Sequence, residues 1–308
     1  MMLPASAEPT AHLLFPLASS ILYVAAALSL KRASEQGAGL WRSTFVMNMV
    51  VAACFAVMLV PGPRGPGPRP PWQAAALGAL FMAGQVLTMV ALSRGDVSVA
   101  TPVIGTKVVF VALFVTVVTG ERLLIDYWVS AAMSAAGIAL LNGGGSHRGG
   151  RRNPGLTIAA SLAAAVCYAL FDVLVRKWAG AWGVGLLLPA VMGAAAVMSL
   201  ALWPLFEGPL TGFPRPAWRP LLLGSVLIGV QALLLTRTLG LYPDTTRINV
   251  VYNSRGLWSV VAVWLVGHWW GNTERHAGRA VLAWRMAGAV LLLGAIVVAV
   301  ARPIKSPG

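Results

Sequence analysis

Charged residues are scarce in this 308-residue chain: they make up 10% of the sequence, whereas hydrophobic residues make up 58%. A soluble domain usually carries about 25% charged residues, so this composition argues against a water-soluble protein. Cysteine is scarce as well, since the chain has only Cys54 and Cys167, both inside apolar runs and without a C-x-x-C spacing. Such placement suggests neither a disulfide framework nor a metal site.

Acidic residues are few compared with basic ones, nine against 23, which gives a formal net charge of +14. The Lys and Arg residues are mostly scattered singly or in pairs at the ends of apolar runs, as is normal for a polytopic membrane protein. We therefore predict no nucleic-acid partner. His147 and His268 lack a second His or Cys at metal-ligand spacing, so the sequence predicts no metal site and no cofactor.

Long apolar runs dominate what is present. A membrane helix needs roughly 20 mostly apolar residues, and backbone groups in hydrocarbon must be paired within the protein. The runs lack the polar alternation of an outer-membrane barrel. We predict an all-α membrane protein, in contact with the lipid bilayer, with ten transmembrane helices. The runs lie at approximately 12–30, 41–60, 73–93, 97–119, 123–141, 156–175, 183–205, 219–240, 247–268 and 281–301.

A polar linker at 142–155 divides these runs into five and five, which predicts two units, 12–141 and 156–301. Several polar residues recur at nearly one offset, between 145 and 148 positions. Five spans are an odd number, so two tandem copies would enter the membrane in opposite senses, as an inverted repeat. The matching pairs are Tyr23 with Tyr168, Lys31-Arg32 with Arg176-Lys177, Gln85 with Gln231, and Lys107 with Arg255.

The fourth run begins with Thr101-Pro102 and closes with Gly120-Glu121-Arg122. Together with ten spans as two fives, these residues resemble the drug/metabolite transporter superfamily, of the EamA type. The resemblance implies a transporter of the bacterial inner membrane, with both termini in the cytoplasm and export as its direction. The second half departs from the pattern, because Asn249 or Val250 stands where Pro102 would align and Glu274 is displaced. The basic residues lean mildly against this orientation, with eight on the side of the termini and eleven opposite.

Three charged residues lie deep inside apolar runs: Lys107, Asp172 and Arg255. A charge at the bilayer centre costs on the order of 3 kcal/mol on insertion scales, and such residues usually face a cavity or a partner. Residues three or four apart share a helix face, so Tyr168 projects with Asp172, and Tyr252 with Arg255 and Ser259. Further polar groups predicted at the same pocket are Asn249, Asn253, Gln85 and Gln231.

Two interpretations of these charges remain open. In one, Lys107 and Arg255 flank a midplane pocket and at least one of them binds an anionic or zwitterionic substrate, with Asp172 as a candidate for proton coupling. In the other, Asp172 forms a buried ion pair with Lys107 or Arg255 and sets helix register. Two cations and one acid leave a positive charge unpaired, which favours a ligand.

No catalytic residues are predicted, because the sequence has no H-E-x-x-H, no G-x-S-x-G and no P-loop. The sequence therefore predicts a secondary transporter of a small organic metabolite, such as an amino acid or related acid, working by alternating access. A nucleotide-sugar or phosphosugar exchanger is the alternative within transport, and a non-transporting scaffold or receptor is the alternative outside it. We expect a monomer or weak homodimer.

Overall fold

The computed structural model describes residues 10–59, 65–94, 100, 103–142, 154–266 and 279–301. These residues form helices and no strand, which confirms the predicted all-α membrane class. In chain order the helices are α1 (Leu14–Glu35), α2 (Leu40–Ala56), α3 (Pro71–Arg94), α4 (Lys107–Phe114), α5 (Ile125–Asn142), α6 (Pro154–Trp182), α7 (Val184–Met198), α8 (Arg215–Leu241), α9 (Thr245–Tyr252), α10 (Arg255–Val266) and α11 (Arg279–Ala301).

Seven of the described helices are long and apolar enough to cross a membrane. Two shorter apolar helical segments lie between them: Val103–Thr119, which contains α4, and Ile125–Leu141, which lies within α5. The ninth predicted run is occupied by α9 and α10, which are separated by Asn253 and Ser254. The described helices therefore occupy all ten runs that hydropathy predicts. The residues are helical because hydrocarbon leaves each backbone N–H and C=O no partner except its own helix.

Backbone chemistry sets several of the helix ends. Pro71 and Pro154 are the first residues of α3 and α6, where the missing N–H of proline has no intrahelical partner to lose. Gly183 separates α6 from α7 with φ +79°, a left-handed conformation that a residue with a Cβ rarely adopts. The turn is short because that single glycine reverses the chain between two long apolar helices.

The most extensive contacts between helices join distant parts of the chain. The first helix, α1, packs along α8, and α3 packs along α6. The fifth and last helices, α5 and α11, form a third long contact. A cluster of buried apolar side chains fills the space where α2, α3, α6, α7, α8 and α9 meet. The helices before the 142–155 linker therefore pack extensively against those after it.

Small residues permit close approach between α5 and α11. Ser130, Ala131 and Ser134 of α5 are fully buried. A Cβ at Gly137 would lie 2.8 Å from Leu292, and one at Gly288 would lie 2.7 Å from the carbonyl oxygen of Gly137. The small-residue face of α5 is thus used inside the molecule, against α11, as close packing in a membrane requires.

Some of the sequence predictions concern residues outside the described ranges. These are the proline entry at Thr101-Pro102, the linker residues 143–153 that include His147, and the segment with His268 and Glu274. The division into two inverted repeats, with its boundaries at 12–141, 142–155 and 156–301, stays a prediction.

Candidate functional site

Lys107 and Asp172 form a buried ion pair. The Nζ of Lys107, at the start of α4, lies 2.6 Å from the Oδ2 of Asp172 on α6, and the two residues are 8% and 2% exposed. Each charge is out of reach of bulk water, so each depends on the other for compensation. Of the two ion pairs left open by the sequence, the structure contains the one between Asp172 and Lys107.

Arg255 has a different environment. It is half-buried at the first turn of α10, and its guanidinium carbon lies 4.9 Å from the ring centre of Tyr23 and 4.8 Å from that of Tyr252. The two rings meet edge to face, with centres 6.2 Å apart. Among the described residues no carboxylate lies within ion-pair distance of Arg255, whose positive charge is stabilised by the ring faces instead.

A chain of hydrogen bonds extends from the guanidinium into α8. A terminal nitrogen of Arg255 donates to the Tyr252 hydroxyl at 3.3 Å, and that hydroxyl donates to the side-chain carbonyl of Gln231 at 3.2 Å. The hydroxyl of Ser19, on α1, donates to the same carbonyl at 3.1 Å. These contacts hold the guanidinium in one orientation, because the Tyr252 hydroxyl both accepts and donates.

The two cation environments adjoin at Tyr252. The Nζ of Lys107 lies 6.0 Å from the centre of the Tyr252 ring, on which Arg255 also stacks. We call the set Tyr23, Lys107, Asp172, Gln231, Tyr252 and Arg255 the central cluster. Its members come from α1, α4, α6, α8, α9 and α10, so the cluster lies where helices from both sides of the 142–155 linker meet.

The interruption between α9 and α10 positions Arg255. Asn253 and Ser254 form a turn there, and both are buried. The side-chain nitrogen Nδ2 of Asn253 donates to the Ser134 hydroxyl at 2.9 Å and to the Gly105 carbonyl at 3.4 Å. The hydroxyl of Ser254 forms a hydrogen bond with the hydroxyl of Ser20 at 3.0 Å. The side chains of Asn253 and Ser254 thus anchor the turn to neighbouring helices, while their backbone N–H groups still donate to carbonyls of α9.

Tyr168, on α6, is packed against α3. It lies one helical turn before Asp172 on α6, and its ring is edge-on to Phe81 at 6.4 Å. A Cβ added at Gly84 of α3 would lie 2.7 Å from the Tyr168 ring, so α3 can approach this ring only because residue 84 is glycine. The structure therefore places Tyr168 at the contact between α3 and α6.

Four other residues linked to the pocket by the sequence lie in other contacts. Gln85 donates to the side chain of Asn48 at 3.1 Å, between α3 and α2. Asn249 donates to the Thr245 carbonyl of its own helix at 3.1 Å. Asn253 joins the turn to Ser134, and Ser259 is exposed and bonded to Gly256.

Two features escaped prediction. Tyr23 was recognised only as a repeat match, although its ring contacts Arg255. A second buried charge cluster joins His12, whose ring nitrogen lies 2.8 Å from Asp244, to Arg247, 3.5 Å from the same oxygen. His12 also stacks on Tyr242, with ring centres 4.3 Å apart. The repeat match with Tyr168 could have indicated that Tyr23 belongs to the site. No local sequence pattern could have predicted the contact between His12 and Asp244, which are 232 positions apart.

Metal binding has no support in the part of the chain that the structure describes, where no group of three or more His, Cys, Asp or Glu side chains converges. What the central cluster offers instead is one half-buried guanidinium with tyrosine hydroxyls and an amide beside it. These groups can hold and orient a small molecule by hydrogen bonds and charge.

Comparison with known proteins extends the picture. Residues 10–143 match the EamA-like transporter family, which confirms the resemblance predicted from the sequence. No protein of curated function matches the chain. One solved crystal structure, whose description states no activity, is 19% identical and aligns over 94% of this chain and 98% of that chain with a TM-score of 0.69. At that identity the likeness shows the fold alone, and it extends over most of the chain.

Proposed function

We propose that this multi-pass membrane protein, whose residues 10–143 match the EamA-like transporter family, is a secondary transporter of a small organic metabolite with an anionic or zwitterionic group. The observation that carries the proposal is Arg255, a half-buried cation with no carboxylate partner among the described residues. A charge at that depth needs compensation, and a bound anion supplies it.

The placement of the central cluster supports alternating access. Arg255 follows the 142–155 linker and stacks on Tyr23, which precedes it, while Lys107 precedes the linker and pairs with Asp172, which follows it. Each cation thus reaches across to the other proposed half. Rocking of one half against the other would change both contacts, and inverted-repeat transporters bind substrate at that interface.

The contacts between helices are consistent with the proposed repeat. If the first five spans correspond to the last five, α1 corresponds to α6 and α3 to α8. The observed long contacts, α1 with α8 and α6 with α3, exchange under that correspondence. The driving force is proposed to be an ion gradient or exchange, since the sequence contains no P-loop. Export from the cytoplasm across a bacterial inner membrane completes the proposal and rests on the family resemblance.

Flux measurements with purified protein in proteoliposomes test this function. We expect vesicles loaded with a labelled mixture of amino acids and organic acids to release at least one of them faster than protein-free vesicles. The Arg255→Gln variant should lower that flux at least about tenfold, because one charge-assisted contact contributes roughly 1.5–3 kcal/mol. Arg237→Gln is the matched control, since Arg237 is exposed on α8 and should retain the flux.

Two outcomes would contradict the proposal. Full transport by a folded Arg255→Gln variant would remove Arg255 from the binding site. No flux of any metabolite, with ligand binding retained, would favour a receptor or scaffold instead.

A further inference from the structure

We infer that the central cluster selects an organic monoanion, a carboxylate with an apolar or aromatic body and no ammonium group. This inference rests on the proposed function and narrows its substrate class. It is carried by the unequal charge compensation of Lys107 and Arg255 and by the two tyrosine rings against the guanidinium.

The first step is the charge of the cluster. Lys107 and Asp172 neutralise each other at 2.6 Å, and Arg255 leaves one net positive charge. A ligand with one negative charge brings the sum to zero. A dianionic phosphate would bring it to minus one in surroundings where uncompensated charge is costly, so the charge balance disfavours the phosphosugar alternative.

The second step concerns an ammonium group. A zwitterion such as an amino acid needs a negatively charged group near the site to pair with its ammonium group. Asp172 is the only carboxylate of the central cluster. Its Oδ2 is already in contact with Lys107, and Asp172 is only 2% exposed. Recruiting it would leave Lys107 buried and unpaired, so an ammonium group gains little there.

The other acidic side chains in the described residues are no better placed. Asp244 is held between His12 and Arg247, in the separate cluster at the start of α9. Glu35, Glu121 and Glu207 are exposed, and Asp126 lies at the start of α5. None of them lies within ion-pair distance of a member of the central cluster.

The third step is the geometry of the guanidinium. Arg carries five N–H donors in a planar fork that suits a carboxylate bidentately. Within the described residues, the Tyr252 hydroxyl takes one of these donors, and the remaining donors can face a ligand. The guanidinium lies over the rings of Tyr23 and Tyr252, and Tyr23 is half-buried. Tyr252 is only 5% exposed, so it is the half-buried Tyr23 ring that gives an apolar or aromatic ligand body a surface to pack on.

Matched ligand sets test the inference directly. One set is 3-phenylpropionate, phenylalanine and 2-phenylethylamine, and a smaller set is propionate, alanine and ethylamine. Binding to the purified full-length protein is measured by calorimetry. In at least one set we expect the acid to bind about tenfold or more tightly than the amino acid, with no binding by the amine. Phenyl phosphate, as a dianion, should bind more weakly than 3-phenylpropionate.

Variants connect the result to the named residues. Arg255→Gln should weaken binding of the acid by about 10- to 100-fold, the range for loss of a charged hydrogen bond. Arg255→Lys keeps the charge without the fork and should give an intermediate loss. It also serves if the Gln variant fails to fold. Arg237→Gln, outside the cluster, should bind the acid as the unmodified protein does.

The outcomes separate this inference from the proposed function. Equal or tighter binding of the amino acid overturns the substrate class, while its flux in proteoliposomes would leave transport intact. Binding of the acid without flux supports the substrate class and contradicts transport. Binding by neither acid overturns the inference, and the flux of the labelled mixture then decides the proposed function independently.

Discussion

Lys107 and Arg255 occupy corresponding places in the two proposed halves, yet their charges are stabilised in opposite ways. Lys107 meets a carboxylate at 2.6 Å and is 8% exposed. Arg255 meets two tyrosine rings at 4.8 and 4.9 Å and is half-buried. Under the proposed repeat, Ala27 of α1 would align with Asp172 of α6 at the offset of 145, so Arg255 would lack the counterpart of the carboxylate that Lys107 meets.

The contrast separates a structural charge from one available to a ligand. A buried ion pair is self-contained, and its disruption leaves an uncompensated charge. Aromatic faces attract a cation without neutralising it, so Arg255 keeps its net charge and most of its hydrogen-bond donors.

Removing the carboxylate should have the largest effect. Asp172→Ala leaves Lys107 buried and unpaired, and we expect a loss of about 3–5 kcal/mol in the free energy of unfolding. Denaturant titration in detergent micelles, followed by tryptophan fluorescence, measures it. The double variant Lys107→Met with Asp172→Leu should recover most of that loss, since apolar residues replace both charges. Equal stability of the single variant and the unmodified protein would contradict a structural role for the pair.

Crowding the contact between α3 and the Tyr168 ring should lower stability by a smaller amount. Gly84→Ala brings a Cβ to 2.7 Å from the Tyr168 ring, one turn from Asp172. Overpacking of this kind costs about 1–3 kcal/mol. Gly193→Ala on α7 is the control, because a Cβ there meets no atom within 4 Å and alanine favours the helix. Thermal unfolding should rank the control at or above the unmodified protein and Gly84→Ala below it.

Removing one hydroxyl on the Arg255 side should have the smallest effect. Tyr252→Phe keeps the ring under the guanidinium but deletes the bonds to Arg255 and Gln231, which should reduce stability by about 1 kcal/mol. Tyr23→Phe keeps the other ring and, among the described residues, deletes no hydrogen bond that the structure contains. The two melting temperatures should therefore differ, with Tyr252→Phe lower. If they coincide, the hydroxyl chain through Gln231 does not hold Arg255.

Much of the fold is determined locally. Apolar runs of about 20 residues predict membrane helices because hydrocarbon permits few other spanning structures. The predicted runs 12–30 and 219–240 therefore agree with α1 and α8 to within five residues at each end. The ninth run was harder, since its hydropathy continues through Asn253 and Ser254 while its helix does not. The turn is held by Ser20 and Ser134, which lie far away in the sequence.

Three members of the central cluster were proposed from the sequence for the same reason. A charge within an apolar run is conspicuous, so Lys107, Asp172 and Arg255 were found without a structure. Tyr23 and Gln231 acquire their place from the packing of α1 along α8, which spacing within one helix cannot reveal. Asn249 and Gln85 are also polar residues inside apolar runs, yet their side chains form hydrogen bonds outside the central cluster.

The sequence by itself determined that this chain spans a membrane, that its helices fall into ten runs, and that three buried charges need partners. Those conclusions depend on the cost of exposing polar groups to hydrocarbon, which each segment experiences separately. Only the tertiary structure decided which cation receives the carboxylate and which receives the tyrosines. That choice depends on distances of a few ångströms between α4 and α6 and between α10 and α1, and these distances are set when the helices pack.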